Sequence, residues 1–188
     1  MTARRARIPL RRRFFLGCEG EIEQSYGALL QIMADESLQL RVHLDLQLLG
    51  GGDPLAIVGA AVQKARERAQ KRGRFVGRAV LLDSDRHGHA PERDNRIAPL
   101  AQAHGLLLIW QRPCHEALLL RHLPGCQTLR PSSSAAAEAS LVRQWPEYQK
   151  PMPARRFPEK LGLSEIQAAA QFEDDLRGFL SLLGFPIS

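Results

Sequence analysis

Apolar runs alternate along the chain with stretches in which apolar residues recur every three or four positions. The apolar runs predict strands, and these cover residues 13–18, 38–48, 77–82 and 106–110. The three- and four-residue spacing predicts helices, and these cover residues 21–35, 54–72 and 94–104. Such alternation of strand and helix indicates an α/β fold, in which a parallel sheet carries helices on both faces.

The run Gly50–Gly52 separates the second predicted strand from the second helix. A phosphate-binding loop would need Gly-Lys-Ser or Gly-Lys-Thr after the glycines, or the spacing GxGxxG, and this chain has neither. We therefore interpret the glycines as a flexible connection. Asp53 and Pro54 supply an N-cap and a first helical residue, and Gly73 is expected to end the helix.

The pattern changes after Gly125. A serine-capped, alanine-rich helix is predicted up to about Trp145, and the proline-rich stretch 146–158 predicts a loop. Residues 164–183 predict one amphipathic helix with Ser164 as its N-cap. We expect three parts, which are a basic N-terminal arm (1–12), an α/β domain (13–130) and a small helical C-terminal appendage (131–188).

The chain has 188 residues, of which 44% are hydrophobic, enough for one domain with a core. Its net charge of +6 and pI near 9.8 favour a polyanionic partner, because Lys and Arg release counterions when they neutralise phosphates. The candidate nucleic-acid contacts are Arg11, Arg12, Lys71 and Arg72. Basic residues also precede the last two on the same helix, namely Lys64, Arg66 and Arg68. A solvated arm and a solvated helix end are the alternatives.

Three cysteines, Cys18, Cys114 and Cys126, form no CxxC pair, which argues against a disulfide framework and against a zinc site. No apolar stretch is long enough to cross a bilayer, and the residues after Met1 lack the charged-then-apolar pattern of a signal peptide. We therefore expect a cytoplasmic protein with no membrane contact.

Acidic residues end two of the predicted strands. Glu19 follows the first strand, whereas Asp83 and Asp85 follow the third and are two positions apart, a spacing that places both on one face if the strand continues. Ligands of parallel sheets gather beyond the carboxyl ends of the strands. Carboxylates placed there are suited to Mg²⁺ or Mn²⁺, which neutralise phosphate charge and acidify water.

Two segments carry a resemblance to a known family. The first reads Phe-Leu-Gly-Cys-Glu-Gly-Glu-Ile-Glu over residues 15–23, and Leu-Leu-Asp-Ser-Asp follows at 81–85. Together they resemble the Toprim fold of topoisomerases, bacterial primases and OLD-family nucleases. A later segment, Arg-Pro-Cys-His-Glu-Ala-Leu-Leu-Leu-Arg-His at 112–122, makes the chain more similar to RloB-like proteins, Toprim proteins often linked to restriction and phage-defence loci. The resemblance covers about residues 13–125, and the chain departs from the family pattern at Ile22, His115 and Ala117.

The resemblance implies roles for four residues and matches two more. Glu19 matches the Toprim glutamate, a metal ligand or general acid/base, and Asp83 and Asp85 match the paired metal-binding aspartates. Glu23 matches a second glutamate that would serve a second metal. The late family positions are Glu116 and His122, whose roles the resemblance does not fix. We take Glu116 as a further candidate metal ligand that could complete the second site, and His122 as a candidate auxiliary residue.

Several of these residues have plainer interpretations. Glu116 could be a charge that stabilises a helix N-terminus, and His122 could be a core histidine. Arg86, His87 and His89 could contact a scissile phosphate or lie in a solvated loop.

The leading functional hypothesis is a Mg²⁺-dependent nuclease that cleaves DNA or RNA in defence against foreign genetic elements. The alternative is a non-catalytic Toprim-like module that binds nucleic acid or recruits a partner. A phosphoacceptor receiver domain places its paired acids after the first strand and a lone aspartate after the third, which is the reverse of the order found here. The relation to OLD-family nucleases raises the question of an ATPase partner, and the oligomeric state is left open.

Overall fold

The computed structural model describes residues 10–37 and 39–187, so the predictions for residues 1–9, Leu38 and Ser188 lie outside the described residues. The strands are β1 (Arg12–Cys18), β2 (Val42–Leu48), β3 (Gly77–Asp83) and β4 (Leu106–Gln111). The helices are α1 (Glu21–Glu36), α2 (Pro54–Arg72), α3 (Pro91–Asp94), α4 (Ile97–Ala103), α5 (His115–His122), α6 (Ser134–Gln144), α7 (Leu163–Ala170) and α8 (Asp174–Leu183), with a 3₁₀ helix at Ala154–Glu159.

The four strands form one sheet in the order β2-β1-β3-β4, and every neighbouring pair is parallel. The predicted α/β fold with a parallel sheet flanked by helices is therefore confirmed. β2 is added on one side of β1, and the next connection crosses back so that β3 is added on the other side. The order in which strands join the sheet therefore reverses between β1 and β3. In parallel sheets this switch point opens a crevice beyond the carboxyl ends of the two strands, where ligands bind.

Side chains alternate between two hydrophobic clusters on the two faces of the sheet. Phe14 and Leu16 belong to the larger cluster, together with residues of α1 and of α5 to α8. Phe15 belongs to the smaller cluster, which it shares with residues of α2 and α4. Trp145 and Phe179, from the part of the chain after residue 130, lie in the larger cluster with β1, so that part contributes to the core.

Two helix predictions are wrong. The helix predicted over 94–104 is α4 alone, which begins three residues later than predicted, because the turn at Asn95 and Arg96 separates it from α3. The helix predicted over 164–183 is two helices, α7 and α8. Ser164 is not an N-cap, because α7 begins one residue earlier with Gly162 as its N-cap.

The break between α7 and α8 has a tertiary cause. Glu173 precedes α8 and is nearly buried, with its Oε1 2.5 Å from Nε of Arg121, a fully buried residue of α5. A buried charge is tolerated only with a partner of opposite sign. The turn that brings Glu173 to Arg121 therefore interrupts a helix that the local sequence would otherwise continue.

The outer strand β4 is covered at one point by a side chain of α8. The carboxylate of Asp175 accepts a hydrogen bond from the backbone N–H of Trp110 at 3.2 Å and also lies 3.2 Å from Nη1 of Arg112. Within the described part of the chain, no helix combines the length and apolar character that crossing a membrane requires.

Candidate functional site

Glu19 and Asp83 lie at the switch point of the sheet. Glu19 directly follows β1 and Asp83 is the last residue of β3, and these two strands are parallel neighbours. Glu23 lies in the first turn of α1 and is almost fully buried. Its Oε2 accepts a hydrogen bond of 3.0 Å from the backbone N–H of Gly20, which fixes the side chain at the start of the helix.

Asp85 and Glu116 come from the neighbouring loop and helix. The carbonyl of Pro113, which precedes α5, accepts hydrogen bonds from the N–H groups of Ser84 (2.9 Å) and Asp85 (3.0 Å), so the segments after β3 and β4 are held together. Asp85 is exposed and accepts a 3.0 Å hydrogen bond from the hydroxyl of Ser134. Glu116 lies buried in the first turn of α5.

These five acidic residues form what we call the carboxylate cluster, namely Glu19, Glu23, Asp83, Asp85 and Glu116. Burial and then the charges of the other four members raise the pKa of Asp83 to about 9. Burial and the charge of Glu23 also raise the pKa of Glu19, an effect that a hydrogen bond from the backbone of Asp83 partly offsets. The cluster therefore strongly disfavours full ionisation when no cation is present.

The cluster fits a hard divalent cation in its chemistry and charge. Oδ1 of Asp83 is buried and has no hydrogen-bond partner within the described residues, so it is free to act as a ligand. Within residues 10–37 and 39–187, however, no three Asp, Glu, His or Cys side chains are arranged to hold a metal ion. Mg²⁺ commonly binds through one or two carboxylates and keeps several waters. Glu19 and Asp83 would suffice for such a site.

Glu116 already has a cation beside it. Nζ of Lys150 lies 2.6 Å from its Oε1, and the hydroxyl of Tyr148 donates a 3.0 Å hydrogen bond to the same atom. Burial alone would raise the pKa of Glu116, but hydrogen bonds from Lys150 and Cys114 more than offset this and lower it. Sequence reasoning missed Lys150 and Tyr148, because no local signal in the proline-rich segment indicates a contact with α5.

His115 is a further residue that the sequence did not single out as part of the site. It is 1% exposed, and the charges of Glu23 and Glu116 act on it. Nδ1 of His115 lies 2.5 Å from Nε2 of the buried Gln111, whereas its Nε2 has no hydrogen-bond partner among the described residues. Burial lowers the pKa of His115, so it is neutral at pH 7. Its position next to Glu116 was the available signal.

His122 lies in the core beside Tyr26. Its Nδ1 is 2.7 Å from the carbonyl of Leu118, so Nδ1 carries the proton, and the hydroxyl of Tyr26 donates to Nε2 at 2.9 Å. Complete burial lowers the pKa of His122 to about 4. Both ring nitrogens are thus taken up by core groups, which favours the core-histidine interpretation over an auxiliary role.

The loop after β3 and the glycine connection border the cluster. Arg86 donates a 3.2 Å hydrogen bond to the carbonyl of Gly52, and a Cβ placed on Gly51 would lie 3.9 Å from Oε1 of Glu19. Arg86 is exposed, and its charge is one of the smaller influences that lower the pKa of Glu19. His87 is exposed as well, with its ring centre 4.8 Å from that of Trp110, and His89 is also exposed.

The four predicted nucleic-acid contacts lie at the opposite end of the strands from the carboxylate cluster. Arg11 and Arg12 stand at the amino end of β1, and Lys71 and Arg72 at the carboxyl end of α2, which runs back along the sheet. Arg11 pairs with Asp35 at 2.5 Å, whereas Arg12 donates to the carbonyl of Leu183 at 2.7 Å. All four are exposed, but the structure does not bring them to the carboxylate cluster.

The chain was compared with models of known protein families, with curated proteins and with solved structures, and none of them matches it. Its likeness to RloB-like and other Toprim proteins accordingly rests on the motifs given above.

Proposed function

We propose that this protein is a nuclease that uses Mg²⁺ or Mn²⁺ to hydrolyse phosphodiester bonds of DNA or RNA. The observation that carries the proposal is the carboxylate cluster at the switch point of a parallel sheet, where burial and then the charges of its four acidic neighbours raise the pKa of Asp83 to about 9. Concentrated like charge costs stability unless a cation relieves it. A cation held there would face the open crevice in which such folds bind their ligands.

The residues of the site have separable tasks in this proposal. A bound divalent cation would supply Lewis-acid chemistry, neutralising phosphate oxygens and acidifying water. Glu19 and Asp83 would hold it, and Asp83 would release its proton as it does so. Glu23 and Asp85 add the negative charge needed for a second cation. Arg86 is exposed and its charge acts on Glu19, and in this proposal it would bind a non-bridging phosphate oxygen.

The biological setting is proposed from the family resemblance alone. RloB-like proteins suggest a role in defence against phage or other foreign genetic elements, in the cytoplasm. The relation to OLD-family nucleases suggests that an ATPase partner protein supports activity. A full-length preparation tested with and without proteins encoded beside it would show whether such a partner is required.

The proposal is tested by incubating the purified protein with plasmid, single-stranded DNA and tRNA in Mg²⁺, in Mn²⁺ and in EDTA. We expect cleavage with the metals that Asp83→Asn reduces by at least ~100-fold, because removing a metal ligand removes most of its charge stabilisation. Asp174→Asn is the matched control, since Asp174 is an exposed residue of α8 outside the cluster. Cleavage that survives Asp83→Asn would show that a contaminant or another site is responsible.

A non-catalytic nucleic-acid-binding or partner-recruiting module is the second candidate. It is favoured by the lack of a three-residue metal site within residues 10–37 and 39–187, and by the ion pair of Glu116 with Lys150. This alternative predicts that gel shifts persist unchanged in EDTA and that no metal produces cleavage. The nuclease proposal predicts instead that Mg²⁺ or Mn²⁺ produces cleavage.

A further inference from the structure

A groove with basic walls lies on the face of the sheet covered by α2, away from the carboxylate cluster. It has a volume of about 810 Å³ and runs between α2 and the amino ends of β3 and β4. Small and apolar side chains form its floor, among them Ala65, Ala69 and Leu106. Such a floor allows a ligand to approach the backbone closely.

The charges along the groove are of one sign. Arg66 comes from α2, Arg74 from the segment before β3 and Arg78 from β3 itself, and His104 adds a fourth nitrogen-bearing side chain. None of the described residues that line the groove is acidic. Arg78 is oriented by a 3.1 Å hydrogen bond to the carbonyl of His104. Three guanidinium groups without a carboxylate among them attract anions.

The structure also sorts the basic residues of α2 into two kinds. Arg68 turns towards the sheet, where it and Arg13 hold the buried carboxylate of Asp45 at 2.9 Å each. Arg66, two positions earlier, is exposed on the groove and makes no ion pair within the part of the chain described here. The charge of Arg68 is thus paired within the fold, whereas the charge of Arg66 can still pair with a ligand.

We propose that this groove binds the sugar-phosphate backbone of single-stranded nucleic acid, without a metal ion. A groove lined by guanidinium groups matches a chain of phosphates, and a positively charged groove that follows the backbone is the feature with which proteins bind single strands. The described lining residues include no Phe, Tyr or Trp, so the groove contacts phosphates without stacking bases, and phosphate contacts carry no sequence information.

The groove deepens the proposed nuclease function, and the minimum length of substrate that it implies rests on that function. Arg78 and Asp83 are separated by five residues of β3, which span ~16 Å at ~3.3 Å per residue. A strand held in the groove must therefore extend at least that far to reach the carboxylates. A substrate shorter than this distance would bind either the groove or the carboxylate cluster, but not both at once.

The experiment measures binding of a fluorescein-labelled single-stranded oligonucleotide by anisotropy in EDTA, over a range of salt concentrations. The test variant carries Arg66→Gln, Arg74→Gln and Arg78→Gln. Its control has the same loss of charge in exposed residues outside the groove, with Arg143→Gln, Arg155→Gln and Lys160→Gln. A double variant that keeps Arg78, and with it the bond to His104, serves if the triple variant melts early by circular dichroism.

We expect the groove variant to bind about 100-fold more weakly at 0.1 M salt, with a salt slope lower by about 2, because each phosphate contact on a single strand contributes ~0.7 to that slope. The control should stay within ~2-fold of the parent protein, since its charges are remote from the bound strand. Equal losses in both variants, preference for a duplex, or no binding at low salt would each overturn the groove.

Cleavage assays separate this inference from the nuclease proposal. Cleavage in Mg²⁺ that needs Asp83 but is unchanged in the groove variant overturns the groove and leaves the nuclease standing. Binding that needs the groove arginines, in a protein that cleaves nothing with any metal, supports the groove and overturns the nuclease.

Discussion

Replacing Asp83 with asparagine should stabilise the metal-free protein at neutral pH. The carboxyl of Asp83 is held protonated in the folded state, with its pKa raised to about 9 by burial and by its acidic neighbours. In the unfolded chain the same group ionises near pH ~3.9. Between these values the folded state binds a proton that the unfolded state has lost, so stability falls as pH rises through that window.

The magnitude follows from the proton affinity. Each tenfold difference in proton affinity between folded and unfolded states corresponds to about 1.4 kcal/mol. Asp83 is only partly buried, and its acidic neighbours can take up protons in its place. The free energy of unfolding should therefore change by only part of what the full pKa difference implies. We expect the free energy of unfolding of the parent protein to fall by ~2–4 kcal/mol relative to Asp83→Asn between pH 5 and pH 9.

Urea denaturation in EDTA at pH 5, 7 and 9 measures this difference, with Asp174→Asn as the control for a lost surface charge. Added Mg²⁺ at ~100 times its Kd should return about 2.7 kcal/mol to the parent protein and little to Asp83→Asn. A parent protein whose stability tracks that of Asp83→Asn at all three pH values would refute the reasoning. It would mean that the carboxylates are not close enough to repel one another.

Three further changes test the packing around the site. Arg121→Met should cost up to ~3–5 kcal/mol in urea denaturation, because the buried carboxylate of Glu173 loses its buried partner and keeps only the exposed Arg130, 3.5 Å away. Adding Glu173→Leu should recover most of that loss. Gly27→Ala should lower the free energy of unfolding by ~1–3 kcal/mol, because the new Cβ would lie 2.7 Å from a leucine methyl of β2. Gly178→Ala in α8 should raise it by ~0.5–1 kcal/mol, because nothing lies within 4 Å of the new Cβ. Lys150→Met should lower thermal stability at pH 7 and lower it less at pH 3, because the stability that a lowered carboxyl pKa provides is lost as the pH falls from the unfolded-state value of ~4.3 through the folded-state pKa of Glu116. An equal loss at both pH values would show that Lys150 acts through packing.

Local signals account for the part of the fold that the sequence predicts well. Apolar runs long enough for strands occur at the four positions where the strands lie, and the cap at Asp53 with Pro54 and Gly73 sets α2 at the predicted bounds. Glu19 and Asp83 were placed at one edge of the sheet because they follow parallel strands, a rule that needs no knowledge of side-chain contacts.

Contacts between distant residues account for what the sequence does not predict. The break before α8 depends on an attraction between Glu173 and Arg121, which are far apart along the chain. The cation beside Glu116 is supplied by Lys150 from a segment without a recognisable signal. Arg68 points inward only because Asp45 is buried on the neighbouring strand, and helix periodicity alone cannot separate it from Arg66.

The carboxylate that α8 places on β4 has a consequence for the behaviour of the molecule in concentrated solution. An outer strand offers free amide groups to which the strand of another molecule can add, the first step of edge-to-edge aggregation. Asp175 occupies one of these amides, and its negative charge would repel an incoming carbonyl oxygen. The sheet thus ends in a local barrier to self-association, at a position where its apolar sequence would otherwise invite a fifth strand.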